Sequence, residues 1–164
     1  MNPALYFAET PGYCGRIAIS GRPRGGAALD HDVASWRARG VDVVVSLMAE
    51  DEAARLGLAD EGLVCGRHGI TWMSLPIADF TVPPSIDVAV PTIERTAAAM
   101  TAGKGVVFHC YAGRGRSPTL AACTLVHRGM APLDAIDRLS IARGHPIPET
   151  AAQRQWIVDF AATR

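Results

Sequence analysis

Apolar residues fall in short, nearly unbroken runs along this chain. Val41 to Leu47, Ile70 to Leu75 and Val106 to His109 are each strand length. Runs that do not alternate with polar residues suit strands covered on both faces, which predicts a parallel sheet. The segments between them carry helical spacing. One helix is expected from Asp30, as N-cap, with Val33 and Trp36 on one face and a stop at Gly40. Another is expected from about Ser85 to Thr101, striped by Ile86, Val90, Ile93, Ala97 and Met100, with Pro91 marking a kink or a later start. Ser117 as N-cap and Pro118 at the first helical position predict a helix over Leu120 to Arg128, apolar nearly all round and so buried. Two helices finish the chain, Leu133 to Arg143 before Gly144 and Thr150 to Ala162. Strand–helix alternation followed by a helical half predicts an α/β fold: a mostly parallel central sheet flanked by helices, with residues 1–164 forming one domain.

Charge changes this picture little. The 164 residues hold 16 basic and 16 acidic side chains, so no global field points to nucleic acid or an anionic membrane. No apolar run is long enough to span a bilayer, and Met1 to Glu9 lacks the basic and apolar regions of a secretory signal. The expectation is a cytoplasmic monomer. Cys14, Cys65, Cys110 and Cys123 are irregularly spaced with no Cys-x-x-Cys pair, so neither a disulfide framework nor a metal site is expected. Cys14, Cys65 and Cys123 read as buried or inert thiols.

Cys110 differs because of its neighbours in the chain. His109-Cys110-Tyr111-Ala112-Gly113-Arg114-Gly115-Arg116-Ser117 comes directly after an expected strand and before an expected helix. Backbone amides from Tyr111 to Arg116 can wrap one tetrahedral oxyanion, and Arg116 closes the ring with a two-donor fork. A free thiol is only a few per cent thiolate near neutral pH, so Cys110 needs selective stabilisation of its anion. The helix N-terminus, the loop amides, Arg116 and the Ser117 hydroxyl are plausible sources. These residues predict a cysteine nucleophile attacking phosphorus, with His109 holding the loop and no cofactor required.

Phosphoester cleavage also needs an acid for the leaving oxygen. Pro76-Ile77-Ala78-Asp79 comes after the second expected strand. A right-handed crossover brings this strand end to the same sheet edge as Cys110, so Asp79 is the expected acid; Glu50, Asp51 and Asp87 are rivals. Gln153 faces inward in line with Trp156, Ile157 and Phe160. It either orients the hydrolytic water or forms a capping box with Thr150. Arg114 enlarges the positive pocket or is simply solvated. Tyr111 and Phe80 either wall the site or pack, and Cys65 is a candidate disulfide partner for Cys110.

His109-Cys110…Arg116-Ser117 resembles the His-Cys-x5-Arg-Ser/Thr signature of protein tyrosine and dual-specificity phosphatases. Pro76-Ile77-Ala78-Asp79 resembles their general-acid loop, and Gln153 stands where several small members carry glutamine. The cyclin-dependent kinase-associated group is especially similar, also through Ala135-Ile136-Asp137-Arg138-Leu139. The resemblance spans roughly residues 40 to 160. It implies a dual-specificity-type fold, a phosphocysteine intermediate, no metal, and a phosphorylated protein or small phosphorylated substrate. It assigns the nucleophile to Cys110, the phosphate clamp to Arg116 and the acid to Asp79. Arg114 departs from the kinase-associated pattern and resembles lipid-phosphatase loops, so phosphoinositides and small molecules are the alternative substrates. A non-catalytic phosphate-binding module is the alternative of another class.

Overall fold

The computed structural model describes residues 3–164; Met1 and Asn2, at the start of the N-terminal segment, lie outside the described residues. Among the described residues the sheet has five strands: β1 (Tyr6–Ala8), β2 (Arg16–Gly21), β3 (Val43–Ser46), β4 (Thr71–Ser74) and β5 (Gly105–Cys110). Their spatial order is β1-β2-β5-β3-β4. Three of these match the expected apolar runs. β2 pairs in parallel with β5, whereas β1 pairs antiparallel to β2 at the edge. Arg16-Ile-Ala-Ile-Ser-Gly21 gives no long apolar run, and three-residue β1 is held by its register on β2 rather than by its own pattern.

Among the described residues the helices are α1 (Leu29–Ala38), α2 (Glu50–Arg55), α3 (Glu61–Arg67), α4 (Ile86–Thr101), α5 (Arg116–His127), α6 (Pro132–Arg143) and α7 (Ala151–Ala162). Sequence spacing does not announce α2 and α3, which are too short to build a periodic stripe. Asp30 is not the N-cap of α1. It lies inside the helix, and its carboxylate meets His68 at 3.0 Å and Arg67 at 3.3 Å. α4 runs through Pro91 from a start at Ile86, with Ser85 accepting a hydrogen bond from the Val88 amide. α5 begins earlier than expected: Gly115 is its N-cap, so Ser117 and Pro118 lie within its first turn. Proline is tolerated there because first-turn amides lack intrahelical acceptors.

The two faces of the sheet are covered separately. Val106, Phe108 and Cys110 point from β5 into a core shared with α4, α5, α6 and α7, while Val107 points toward α1 and α3. This alternation is the ordinary consequence of strand geometry. All six residues of β5 are buried. Each large apolar side chain buried this way contributes roughly 1.5–3 kcal/mol, so the strand leading to Cys110 is firmly held. Among the described residues, no helix is long and apolar enough to cross a membrane.

Candidate active site

The end of β5 turns through Tyr111–Gly115 into α5 and presents Cys110 at the base of that turn. Cys110 Sγ lies 3.4 Å from Ser117 Oγ, and both residues are buried. Gly113 makes the turn possible in two ways. Its φ is +70°, and a Cβ there would stand 2.6 Å from the Ser20 carbonyl carbon, at the end of β2. The Arg22 amide donates to Tyr111 O at 3.2 Å, and the Glu149 amide donates to Arg114 O at 3.1 Å. The loop is therefore fastened on both sides.

Arg116 is 1% exposed, an unusual place for a guanidinium. Nη1 donates to Glu52 Oε2 at 2.8 Å, Ile77 O at 2.9 Å and Leu47 O at 3.4 Å. Nη2 donates to Glu52 Oε1 at 3.1 Å and lies 3.0 Å from Asp79 Oδ1. Nε is buried and makes no hydrogen bond, which leaves one donor for an oxyanion. Burial works against the guanidinium charge, but Glu52, with the charges of Cys110 and Asp79, outweighs it and raises its pKa above the ordinary arginine value. The Arg116 hydrogen bonds hold the Glu52 carboxyl below the usual range against the opposing effect of burial.

Glu52 is the site residue that sequence reading missed. It lies in the acidic run Glu50-Asp51-Glu52, just past the carboxyl end of β3, a neighbour of β5. An acidic run at that strand end was the available signal. Of the neighbouring acids, Glu50 and Asp51 sit in α2 and Asp87 in α4. Asp79 does reach the cradle. Its Oδ1 also accepts from the Phe80 amide at 3.0 Å. Phe80 has φ +60°, uncommon for a bulky residue, and its ring is exposed.

Gln153 is fully buried and forms the expected capping box, with its amide donating to Thr150 Oγ1 at 3.1 Å and its Oε1 accepting from the Thr150 amide at 3.2 Å. It also does something the sequence did not suggest: Nε2 donates to Thr81 O at 3.2 Å, tying the Asp79 loop to α7. A Cβ on Gly115 would stand 2.7 Å from that same Nε2, so Gln153 abuts the cradle as well. Tyr111 and Arg114 are exposed at the rim, with the Arg22 guanidinium 5.2 Å above the Tyr111 ring. Ala112 is exposed beside them.

His109 faces away from Cys110, on the α1 and α3 side. Its Nε2 lies 2.7 Å from Glu61 Oε1, out of line for a hydrogen bond, and its ring centroid is 5.8 Å from that of Trp36. Cys65 is buried in the cluster on that same face, whereas Cys110 belongs to the opposite one. Burial, reinforced by the charge of Glu61, pushes the Cys65 thiol up to about 12, which makes it a poor partner for thiol exchange. Cys123 is buried and pushed well above the ordinary value, and Cys14 is exposed.

Comparison with known proteins identifies the family and the fold. Residues 18–130 match the model of a family described as "Polymorphic toxin system, DSP-PTPase phosphatase". Cyclin-dependent kinase inhibitor 3 of Rattus norvegicus is 25% identical over 134 residues, covering 80% of this chain and 63% of that protein. Its counterpart in Mus musculus is 32% identical over 96 residues, covering 57% of this chain and 44% of the relative. The chain thus spans less than two thirds of these curated relatives. Among solved structures, a kinase associated phosphatase with its catalytic-site cysteine substituted by serine superposes with a TM-score of 0.89. It is 19% identical and covers 99% of this chain and 96% of its own. Tk-PTP in its active form gives 0.79 at 25% identity, with both chains fully covered.

Proposed function

This chain belongs to the DSP-PTPase phosphatase family of polymorphic toxin systems, and from that premise we propose that it hydrolyses phosphomonoesters on proteins through a phosphocysteine. The observation that carries the reading is a buried thiol and a buried arginine at the two ends of one oxyanion-sized turn, with Asp79 3.0 Å from that arginine. Cys110 Sγ attacks phosphorus as the phosphate–ester bond breaks, and Asp79 gives its proton to the departing oxygen. Amides of Tyr111, Ala112, Gly113, Arg114, Gly115 and Arg116, with the Arg116 Nε–H, hold the equatorial oxygens. Water then attacks the phosphocysteine. Asp79 takes the water's proton, the sulfur–phosphorus bond breaks, and phosphate departs from a regenerated thiolate.

Ser117 supports the sulfur anion at 3.4 Å. Gln153 holds the acid loop through Thr81 and lies beside Gly115, which supports a role for it in orienting the hydrolytic water. Phe80, next to Asp79, and Tyr111, next to Cys110, carry exposed rings, which supports an aryl phosphate such as phosphotyrosine as substrate. Arg114 at the rim supports the second reading, a phosphoinositide or small polyphosphorylated substrate.

Hydrolysis of an aryl phosphate tests the reaction. Wild type is expected to exceed Cys110→Ser by at least about a thousandfold, in line with the loss of other nucleophiles, and equal rates would overturn the reaction. Parallel turnover of a phosphotyrosyl peptide and a short-chain phosphoinositide tests the substrate, the first being expected to be faster.

A further inference from the structure

Strand geometry sends adjacent side chains to opposite faces, so the residue before the nucleophile is built into a different core from the nucleophile itself. His109 is fully buried on the face covered by α1 and α3, with backbone pairing to β2 on one side and β3 on the other. The Leu47 amide donates to His109 O at 3.0 Å. What the sheet leaves free is the imidazole, and Glu61 meets it.

Glu61 begins α3 and is 1% exposed, an unusual place for a carboxylate. Buried acids are normally paired, because an uncompensated charge in the interior is costly. Among the described residues, His109 is the one side chain within ion-pair distance of Glu61, at 2.7 Å. The contact is one of close approach between two buried side chains, the two atoms being out of line for a hydrogen bond. Trp36 of α1 closes the other side of the ring, tilted at 45°. Nearby, Cys65 of α3 is held neutral by burial and by Glu61, and Asp32 of α1, one turn before Trp36, is paired with Arg24. Beyond Glu61 lies a cleft of about 410 Å³, lined by Ser46, Trp72, Ser74 and Glu50 among others and offering no cation.

We infer that Glu61 is a positioning residue for the Cys110 nucleophile, acting through His109. The carboxylate on α3 fixes the imidazole. The imidazole fixes the direction in which β5 enters the Tyr111–Gly115 turn, and that direction sets where Sγ lies among the loop amides. The consequence for turnover rests on the proposed phosphatase reaction, but the placement of the sulfur does not.

Alkylation of Cys110 by iodoacetamide, followed by mass spectrometry, reads the nucleophile without turnover. Glu61→Met, of similar volume but with no polar partner for the imidazole, is expected to slow alkylation about tenfold per folded molecule, the size of effect seen for orienting contacts. On an aryl phosphate kcat is expected to fall by a similar factor, with KM within about threefold of wild type. Glu61→Gln, which keeps the length and a polar end, is expected to restore both rates to within about twofold. In a His109→Asn background, Glu61→Met is expected to add less than about twofold, because the contact is already gone. Alkylation unchanged in Glu61→Met, or full additivity with His109→Asn, overturns the inference. Should Glu61→Met not fold, Glu61→Asp, which retracts the carboxylate by one methylene, is expected to slow alkylation about threefold; unchanged alkylation there overturns it equally. Wild-type turnover no faster than Cys110→Ser strikes the proposed reaction alone, since the alkylation comparison stands without it.

Discussion

Asp79 Oδ1 lies 3.0 Å from Arg116 Nη2, so the expected proton donor and the expected phosphate clamp are joined by an ion pair. The two roles are therefore coupled: a phosphoryl group drawn in by Arg116 is drawn to the acid's side. Asp79→Ala is expected to lower kcat by about a hundredfold, within the usual range for a general acid, with a much smaller effect on KM. The loss should shrink with a more acidic phenol as leaving group, which steady-state kinetics on a series of aryl phosphates will show. An equal loss across the series would remove Asp79 from the acid's role.

Glu52 offsets most of the buried Arg116 charge through two hydrogen bonds, at 2.8 and 3.1 Å. Removing one partner of a buried pair leaves the other uncompensated, typically at a cost of about 3–5 kcal/mol. Asp79 and two backbone carbonyls still reach Arg116, so Glu52→Ala is expected to cost about 2–3 kcal/mol in urea unfolding.

The pH dependence of stability has its origin in the same pair. The Glu52 carboxyl titrates below its ordinary value of 4.5 in the folded chain, so the unfolded chain binds its proton first as pH falls. The stabilisation is complete above about 4.5 and is lost as pH drops through the lower folded value. Glu52→Gln is expected to flatten the acid limb of the stability–pH curve, and an unchanged limb would assign the acid lability to other carboxylates.

Gly113 and Gly115 should respond unequally to alanine. At Gly113 the added carbon meets backbone of β2 at φ +70°, so the loop itself must shift; orthovanadate binding is expected to be lost and stability to fall by about 2–4 kcal/mol. At Gly115 it meets the ends of the Gln153 and Glu149 side chains, which can move. Gly115→Ala is expected to keep the fold and to loosen the Gln153–Thr81 contact, read as a smaller loss of kcat.

Gln153→Ala removes the side-chain half of the capping box and the Thr81 tie together, while the Thr150 hydroxyl still caps the helix. A cap costs about 1 kcal/mol, so thermal unfolding should shift by only a few degrees. If Gln153 also serves the hydrolytic water, the variant will show a pre-steady-state burst of phenol, as phosphocysteine accumulates. The absence of a burst would confine Gln153 to holding the loop and the helix.

The parts of the site legible in the sequence are those carried by contiguous residues. Cys110, Gly113, Arg116 and Ser117 share one turn, and the turn's chemistry requires those residue types at those spacings. Asp79 was reachable because a crossover rule fixes which edge of the sheet its strand ends on. Glu52 and Glu61 were not, because each lies in a helix too short to be seen as periodic, and each matters through a contact with a residue distant in the chain. β1 and β2 were missed for a related reason: β2 is a strand because β5 pairs with it, not because its own residues alternate. The start of α5 moved to Arg116 since the loop amides pass directly into the helix, with no separate capping side chain.

β5 lies at the centre of the sheet, and all six of its residues are buried. Amides on such a strand exchange with deuterium only when most of the domain opens. The Pro76–Pro84 segment lies outside the strands, and its Ala78 to Thr81 stretch is exposed. Slow exchange at Val107 to Cys110 beside fast exchange at Phe80 to Val82 would place the breathing of this domain on the proton-delivering side alone.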